Sequence, residues 1–242
     1  MRHETADIVT LGAGMAAMSL TLSLLLRGYQ GRIIMLDRLA EPNADKTWCF
    51  WGQASVPRYL QPLIRRQWSQ WSVSHNGREV AQSSINGKND YCCMLAEDFY
   101  QFALSVIEKH DNVSFYGEQT IIQADDQGHK VSVRSSDYHI DARHCLDTRH
   151  APLKKQEGLV QCFAGAWLET RQALFNPDKV ELMHNLESRD GSLQFDYVLP
   201  ISTHQALFEL TFFSPQPLSF DDLARDAEQA IRSRYGDIDM TI

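Results

Sequence analysis

The chain has 242 residues, 43% of them hydrophobic and 22% charged, with a formal net charge of −8. That is enough chain for one large domain or two smaller ones with a sizeable core. The ordinary composition excludes wholesale disorder, and the acidic balance, which no Lys/Arg run offsets, speaks against a nucleic-acid partner.

Residues 6–37, ADIVTLGAGMAAMSLTLSLLLRGYQGRIIMLD, read as strand, tight glycine turn, helix and second strand. Ile8, Val9 and Leu11 form the apolar run of a strand covered on both faces. Met15, Met18, Leu22 and Leu25 recur at helical spacing, and Gly28 and Gly31 bracket the exit. The residues between strand and helix suit a dinucleotide. Gly12 permits the sharp turn, Gly14 lets backbone approach a pyrophosphate, and the helix start offers free N–H groups and a positive dipole end. Ala13 lies between the glycines. Ala17 stands where only a small side chain is needed for helix–strand packing, and Asp37 closes the second strand where ribose hydroxyls would bond. A βαβ unit whose glycines serve packing alone is the rival reading. The N-terminal position favours FAD over NAD by association with known folds.

The apolar run 15–26 is too short for a bilayer, which needs about 20 residues. It follows Glu4 and Asp7, not a basic leader. The five cysteines form no CxxC and the nine histidines no HExxH. Neither a disulfide framework nor a metal site is expected, and a reducing cytoplasm fits best.

Further along, DKTWCFWG (45–52) crowds Trp48, Phe50 and Trp51 into a short span, either to pack a core or to line a channel for an apolar ligand. Short strands are expected around the Asn76-Gly77 turn and over 91–95. In the helix expected over 96–110, Phe99, Phe102, Ala103, Val106 and Ile107 share one face. Strands follow over 113–116, 120–124, 130–134 and 144–147. From about Leu159 four strands run without an intervening helix, which implies an antiparallel sheet, and an amphipathic helix covers 219–236. The expected architecture is α/β: a Rossmann-like dinucleotide domain of three-layer ββα type over 1–75 and 91–156, with an antiparallel substrate domain over 76–90 and 157–242.

Several segments, taken in order, resemble the lycopene cyclase family of FAD-dependent carotenoid enzymes, bacterial β-cyclases in particular. They are Leu11-Gly-Ala-Gly14, Thr47-Trp-Cys-Phe50 (Thr-Trp-Ser-Phe in the family), Cys145-Leu-Asp-Thr-Arg149, Gln161-Cys-Phe-Ala-Gly165, Phe195-Asp-Tyr-Val-Leu-Pro200 and Leu207-Phe-Glu-Leu-Thr211. The resemblance covers essentially the whole chain. Family members continue beyond the point matched by Ile242, so it implies a C-terminally truncated chain that lacks a glycine-rich flavin motif. Where the family carries two adjacent carboxylates, this chain has Glu209 followed by Leu210.

The resemblance implies proton-initiated cyclisation of lycopene end groups to β-ionone rings without net redox change, using reduced FAD with NAD(P)H as reductant. Peripheral membrane contact follows from the hydrocarbon substrate. Such chemistry needs a positioned acid, stabilisation of a carbocation and exclusion of water. Glu209 is the candidate acid and Asp196 a second; the rival readings are a strand glutamate meeting solvent and a solvated strand charge. Trp48, Phe50 and Trp51 would line the polyene channel. Asp147 would either approach the cofactor or cap the following loop. Two alternatives stay open: an FAD monooxygenase or prenyl-chain reductase of the same fold, and an inactive nucleotide-binding fragment.

Overall fold

Strand β1 (Arg2–Leu11) runs from exposed residues into a fully buried end, and helix α1 (Met15–Leu25) buries Ala17, Met18, Thr21, Leu22 and Leu25. The structure, a computed structural model, describes residues 1–83, 89–149, 158–189 and 191–241. All four residues of β2 (Ile33–Leu36) are buried, as the apolar run requires. Next come β3 (Thr47–Trp51), β4 (Ile64–Trp68), β5 (Gln70–His75), β6 (Arg78–Ser83) and β7 (Tyr91–Leu95). Asn76 and Gly77, at φ 50 and 71, make the hairpin turn between β5 and β6, which is the conformation their residue types favour.

Helix α2 (Ala96–Ile107) carries Glu97 and Asp98 in its first turn. It buries Phe99, Tyr100, Ala103 and Ile107, so the covered stripe turns toward Tyr100, and Phe102 and Val106 remain half-buried. Four strands follow: β8 (Val113–Tyr116), β9 (Ile121–Asp126), β10 (Val131–Ser135) and β11 (Tyr138–Asp147). The last four expected strands are β12 (Val160–Glu169), β13 (Lys179–Arg189), β14 (Ser192–Pro200) and β15 (Gln205–Ser214); α3 (Phe220–Tyr235) and β16 (Asp239–Thr241) come after them.

The chain forms two compact units, Met1–Thr47 with Leu95–Pro152 and Trp48–Met94 with Leu153–Ile242. The expected boundary at 75 thus moves to 47. The physical reason is pairing: β5 joins β13, and the Trp68 indole N–H donates to the Pro200 carbonyl at 3.0 Å, which ties 64–75 to the second unit. In the first unit one sheet has the order β8-β2-β1-β11-β10-β9. Its β8, β2, β1 and β11 are parallel, and β10 and β9 extend it antiparallel.

In the second unit the order is β16-β12-β15-β14-β13-β5-β6, beside a three-stranded sheet β3-β7-β4. The larger sheet is not wholly antiparallel, because β5 runs parallel to β13. Parallel pairs need long connections and leave no hairpin signal in the sequence. Helix α3 is capped by Ser219, whose Oγ accepts the Asp222 N–H, and it ends at Gly236 with φ 76. Its Leu223, Ala227 and Ile231 pack on Ala164, Ala166, Ala206, Phe208 and Leu210 of β12 and β15. One face of that sheet is therefore core. Among the described residues no helix is long and apolar enough to cross a membrane.

Candidate functional site

Where β1 ends, the first unit gathers the residues expected to cradle a nucleotide. Gly12 sits at φ +97, and a Cβ there would fall 2.6 Å from Thr148 Oγ1, so both backbone and space demand glycine. Thr148 seals the turn from below, its hydroxyl donating to the Leu11 carbonyl at 3.0 Å. Gly14 is the N-cap of α1, with no side-chain cap and no acid in the first turn. A Cβ on Gly14 would meet nothing within 4 Å, which leaves open space in front of the helix start. That is the arrangement a diphosphate occupies, with backbone N–H groups and the helix dipole facing it.

Asp37 joins this turn across the sheet. Its Oδ2 accepts the Ala13 N–H at 2.6 Å, and Oδ1 accepts the Leu39 N–H at 2.9 Å. The acid that would meet a ribose thus also shapes the glycine turn. Ala17 is fully buried, as its packing role requires. Tyr100 approaches the same corner: burial raises its hydroxyl pKa, the nearby Asp37 charge adds to this, and a bond from the Met15 backbone N–H opposes it. Sequence reasoning did not single out Tyr100. At the end of β11, Asp147 turns back onto the residues that follow it. Its carboxylate accepts from the Arg149 backbone N–H at 3.1 Å and from the guanidinium at 2.8 and 2.7 Å, so it caps its own loop. The Arg149 hydrogen bond holds the Asp147 carboxyl below the usual range.

The second unit holds Glu209. Strand alternation sends Ala206, Phe208, Leu210 and Phe212 to the α3 side and Leu207, Glu209, Thr211 and Phe213 to the other. Register places Tyr197 and Gly165 on either side of Glu209. Phe208, Leu210 and Phe212 therefore do not surround the acid as its sequence neighbourhood suggests; Leu207, Phe213 and residues of the adjacent strands share its face. A carboxylate at position 210 would point into the α3 core, so having Leu210 there costs the Glu209 face nothing.

Burial raises the Glu209 carboxyl above its ordinary 4.5. Three more groups stand close enough to feel its charge: Cys49, Tyr91 and Tyr197. A hydrogen bond with Cys93, followed by burial, pushes the Cys49 thiol far up. The two tyrosine hydroxyls are raised chiefly by burial. The site is a set of poorly hydrated acids, and its strongest acid is Glu209. A carboxyl whose folded pKa lies above its unfolded value binds its proton more tightly in the fold. Stability is then full below 4.5 and falls as pH rises through the folded value. Urea unfolding across this range is expected to show the parent losing stability relative to Glu209→Gln as pH rises. A constant difference would mean that the carboxyl is not desolvated.

The aromatic segment 47–51 is itself a strand, so its side chains alternate. Trp48 and Phe50 lie on one side, Cys49 and Trp51 on the other. Cys49 is the member close enough to feel the Glu209 charge. Trp51 packs with Tyr91 at 4.8 Å and Trp71 at 5.5 Å between ring centroids. Asp196 faces the α3 side, opposite Glu209, because it pairs with Leu210. There its Oδ2 lies 3.5 Å from His184 Nδ1, beside the Arg234–Glu181 ion pair. The two expected acids do not share one site.

These features define a two-unit α/β protein, with a glycine turn that opens onto a helix N-terminus in one unit and a half-buried carboxyl on a sheet face in the other. The chain belongs to the lycopene cyclase protein family, whose pattern it matches over residues 7–241. Among curated proteins, no sequence matches it. Its fold is similar to that of a geranylgeranyl bacteriochlorophyll reductase-like protein from Thermoplasma acidophilum, at 12% identity and TM-score 0.68, covering 99% of this chain and 66% of that one. The p-nitrophenol 4-monooxygenase of Pseudomonas putida shows 13% identity and TM-score 0.70, covering 96% and 63%. A probable FAD-dependent monooxygenase from Pseudomonas aeruginosa shows 17% and 0.62, covering 96% and 67%. The chain thus spans about two thirds of the length of these structures.

Proposed function

We propose that the protein closes the acyclic end groups of lycopene into β-ionone rings, as an isomerase that binds FAD in its reduced form with NAD(P)H as reductant. One observation carries the reading: a desolvated Glu209 carboxyl on a sheet face with Tyr91, Tyr197 and Cys49 close to it. The Gly12 turn, Ala13, the open approach at Gly14, small Ala17 and Asp37 fit the diphosphate and ribose of FAD. Reduced FAD, when bound, supplies an electron-rich ring system that stabilises positive charge.

The protein's own residues handle the proton. The Glu209 carboxyl gives its proton to a terminal alkene carbon, leaving a tertiary cation and a carboxylate. The neighbouring double bond attacks the cation and closes the ring. Loss of a different proton restores the alkene, with the Glu209 carboxylate as the base at hand, so no proton or electron is consumed overall. The π-faces of Tyr91 and Tyr197 attract the cation, an effect worth about 2 kcal/mol when desolvated. The proposal includes a cytoplasmic location with peripheral membrane contact, since the substrate is dissolved in a bilayer.

The named structural neighbours include monooxygenases, and product mass separates the readings. Lycopene incubated with the protein, FAD and NAD(P)H, in parallel with and without oxygen, is expected to give cyclic product of unchanged mass in both, without stoichiometric NAD(P)H oxidation when oxygen is excluded. A product heavier by an oxygen atom or by a pair of hydrogens would replace cyclisation by oxygenation or reduction.

A further inference from the structure

We infer that His3, His139 and Asp141 form a binding site for a divalent transition metal of the zinc class, at the end of β1 remote from the glycine turn. The parallel register of β1 and β11 sets His3 beside His139, with ring centroids 4.8 Å apart and edge-on. Asp141, two residues further along the same strand, projects to the same face. His3 Nε2 lies 3.6 Å from Asp141 Oδ2, and His139 Nε2 lies 3.8 Å from Asp141 Oδ1. One ligand atom from each residue falls within 4.8 Å of the others. Metal–ligand bonds of about 2.0–2.1 Å in a tetrahedral site put ligand atoms about 3.4 Å apart. The two histidines approach different oxygens of Asp141, so with one ligand atom from each residue the side chains must close from within 4.8 Å, by up to about 1.4 Å.

A second observation points the same way. Asp141 Oδ1 is buried and has no hydrogen-bond partner among the described residues. A buried acceptor left in that state is costly, and a cation bridging it to the two imidazoles removes the cost. Two imidazoles and a carboxylate suit zinc, cobalt or nickel, whereas magnesium or calcium would ask for more oxygens. His3 is the exposed member, so a fourth position opens to water. CxxC and HExxH spacings cannot reveal this set, because strand pairing, not local sequence, brings its members together.

Uptake has two competitors. Lys130 Nζ bonds Asp141 Oδ2 at 2.7 Å, and Ser132 Oγ lies 2.8 Å from His139 Nε2. Both must give way, and the Lys130 ammonium, partly exposed, can return to water at modest cost. The site is therefore tuned by Lys130, and removing that charge strengthens metal binding.

Cobalt(II), titrated into the tag-free chain, is the probe, because tetrahedral cobalt absorbs strongly in the visible. One equivalent is expected to develop that band and to be displaced by zinc. His3→Ala and His139→Ala should each weaken binding at least about tenfold, and Lys130→Gln should tighten it. His3 is exposed on its strand, so its substitution leaves the fold intact and keeps the test decisive. No visible band at millimolar cobalt, or a band undiminished in both histidine variants and thus an adventitious ion only, overturns the assignment.

Discussion

Glu209→Gln is expected to slow ring closure by about 10²- to 10⁴-fold, the usual contribution of a positioned general acid. In barrier terms that is about 3–5 kcal/mol. The substitution keeps the side chain's shape and its polar atoms and removes only the transferable proton. It also removes a group whose pKa is raised because burial disfavours its charge, so the variant should fold at least as well as the parent at neutral pH. The neighbouring hydroxyls cannot substitute. Tyr91 and Tyr197 are pushed above their ordinary 10 and are far weaker acids than Glu209. Loss of one such neutral hydroxyl is worth only about 0.5–1.5 kcal/mol. The rate should therefore collapse at Glu209 and merely decline at either tyrosine. Steady-state kinetics with lycopene decide the matter. Parent-like kcat in Glu209→Gln would remove the carboxyl from the proton transfer, and a change confined to KM would make it a positioning residue.

What the sequence made legible follows the range of each interaction. The first βαβ unit could be read almost residue by residue, because helical spacing in α1, the buried run of β2 and the turn at Gly12 are all local. The surroundings of Glu209 were hidden because they depend on pairing register. Tyr197 and Gly165 come beside it only once β14 and β12 are aligned on β15, and the same alignment sends Asp196 to the opposite face. The segment around Trp48 shows a related limit. Its aromatic density invited reading as a cluster, whereas an extended backbone splits it into Trp48 with Phe50 and Cys49 with Trp51. The parallel partnership of β5 with β13 has no local signature, and it carried 64–75 into the other unit.

The glycine turn gives the second large effect, and its two glycines are expected to fail in different ways. Gly12→Ala must place a Cβ at φ +97, 2.6 Å from Thr148 Oγ1. A strained backbone of this kind costs about 1–3 kcal/mol. The clash adds to it, because Thr148 cannot retreat without breaking its bond to the Leu11 carbonyl. Gly12→Ala should therefore unfold at clearly lower urea concentration whether or not nucleotide is present. Gly14 has φ −71 and ψ −176, which any residue can adopt, and its Cβ position is empty. Gly14→Val should keep stability within about 1 kcal/mol of the parent, since only an N-cap preference is lost. Its isopropyl group, however, fills the space that a diphosphate needs, so FAD affinity should fall at least tenfold, about 1.4 kcal/mol or more. Urea unfolding read beside quenching of flavin fluorescence separates the two costs. If Gly14→Val bound FAD as tightly as the parent, the open corner at the start of α1 would not be where the phosphates lie, and Asp37 would owe its position to the turn alone.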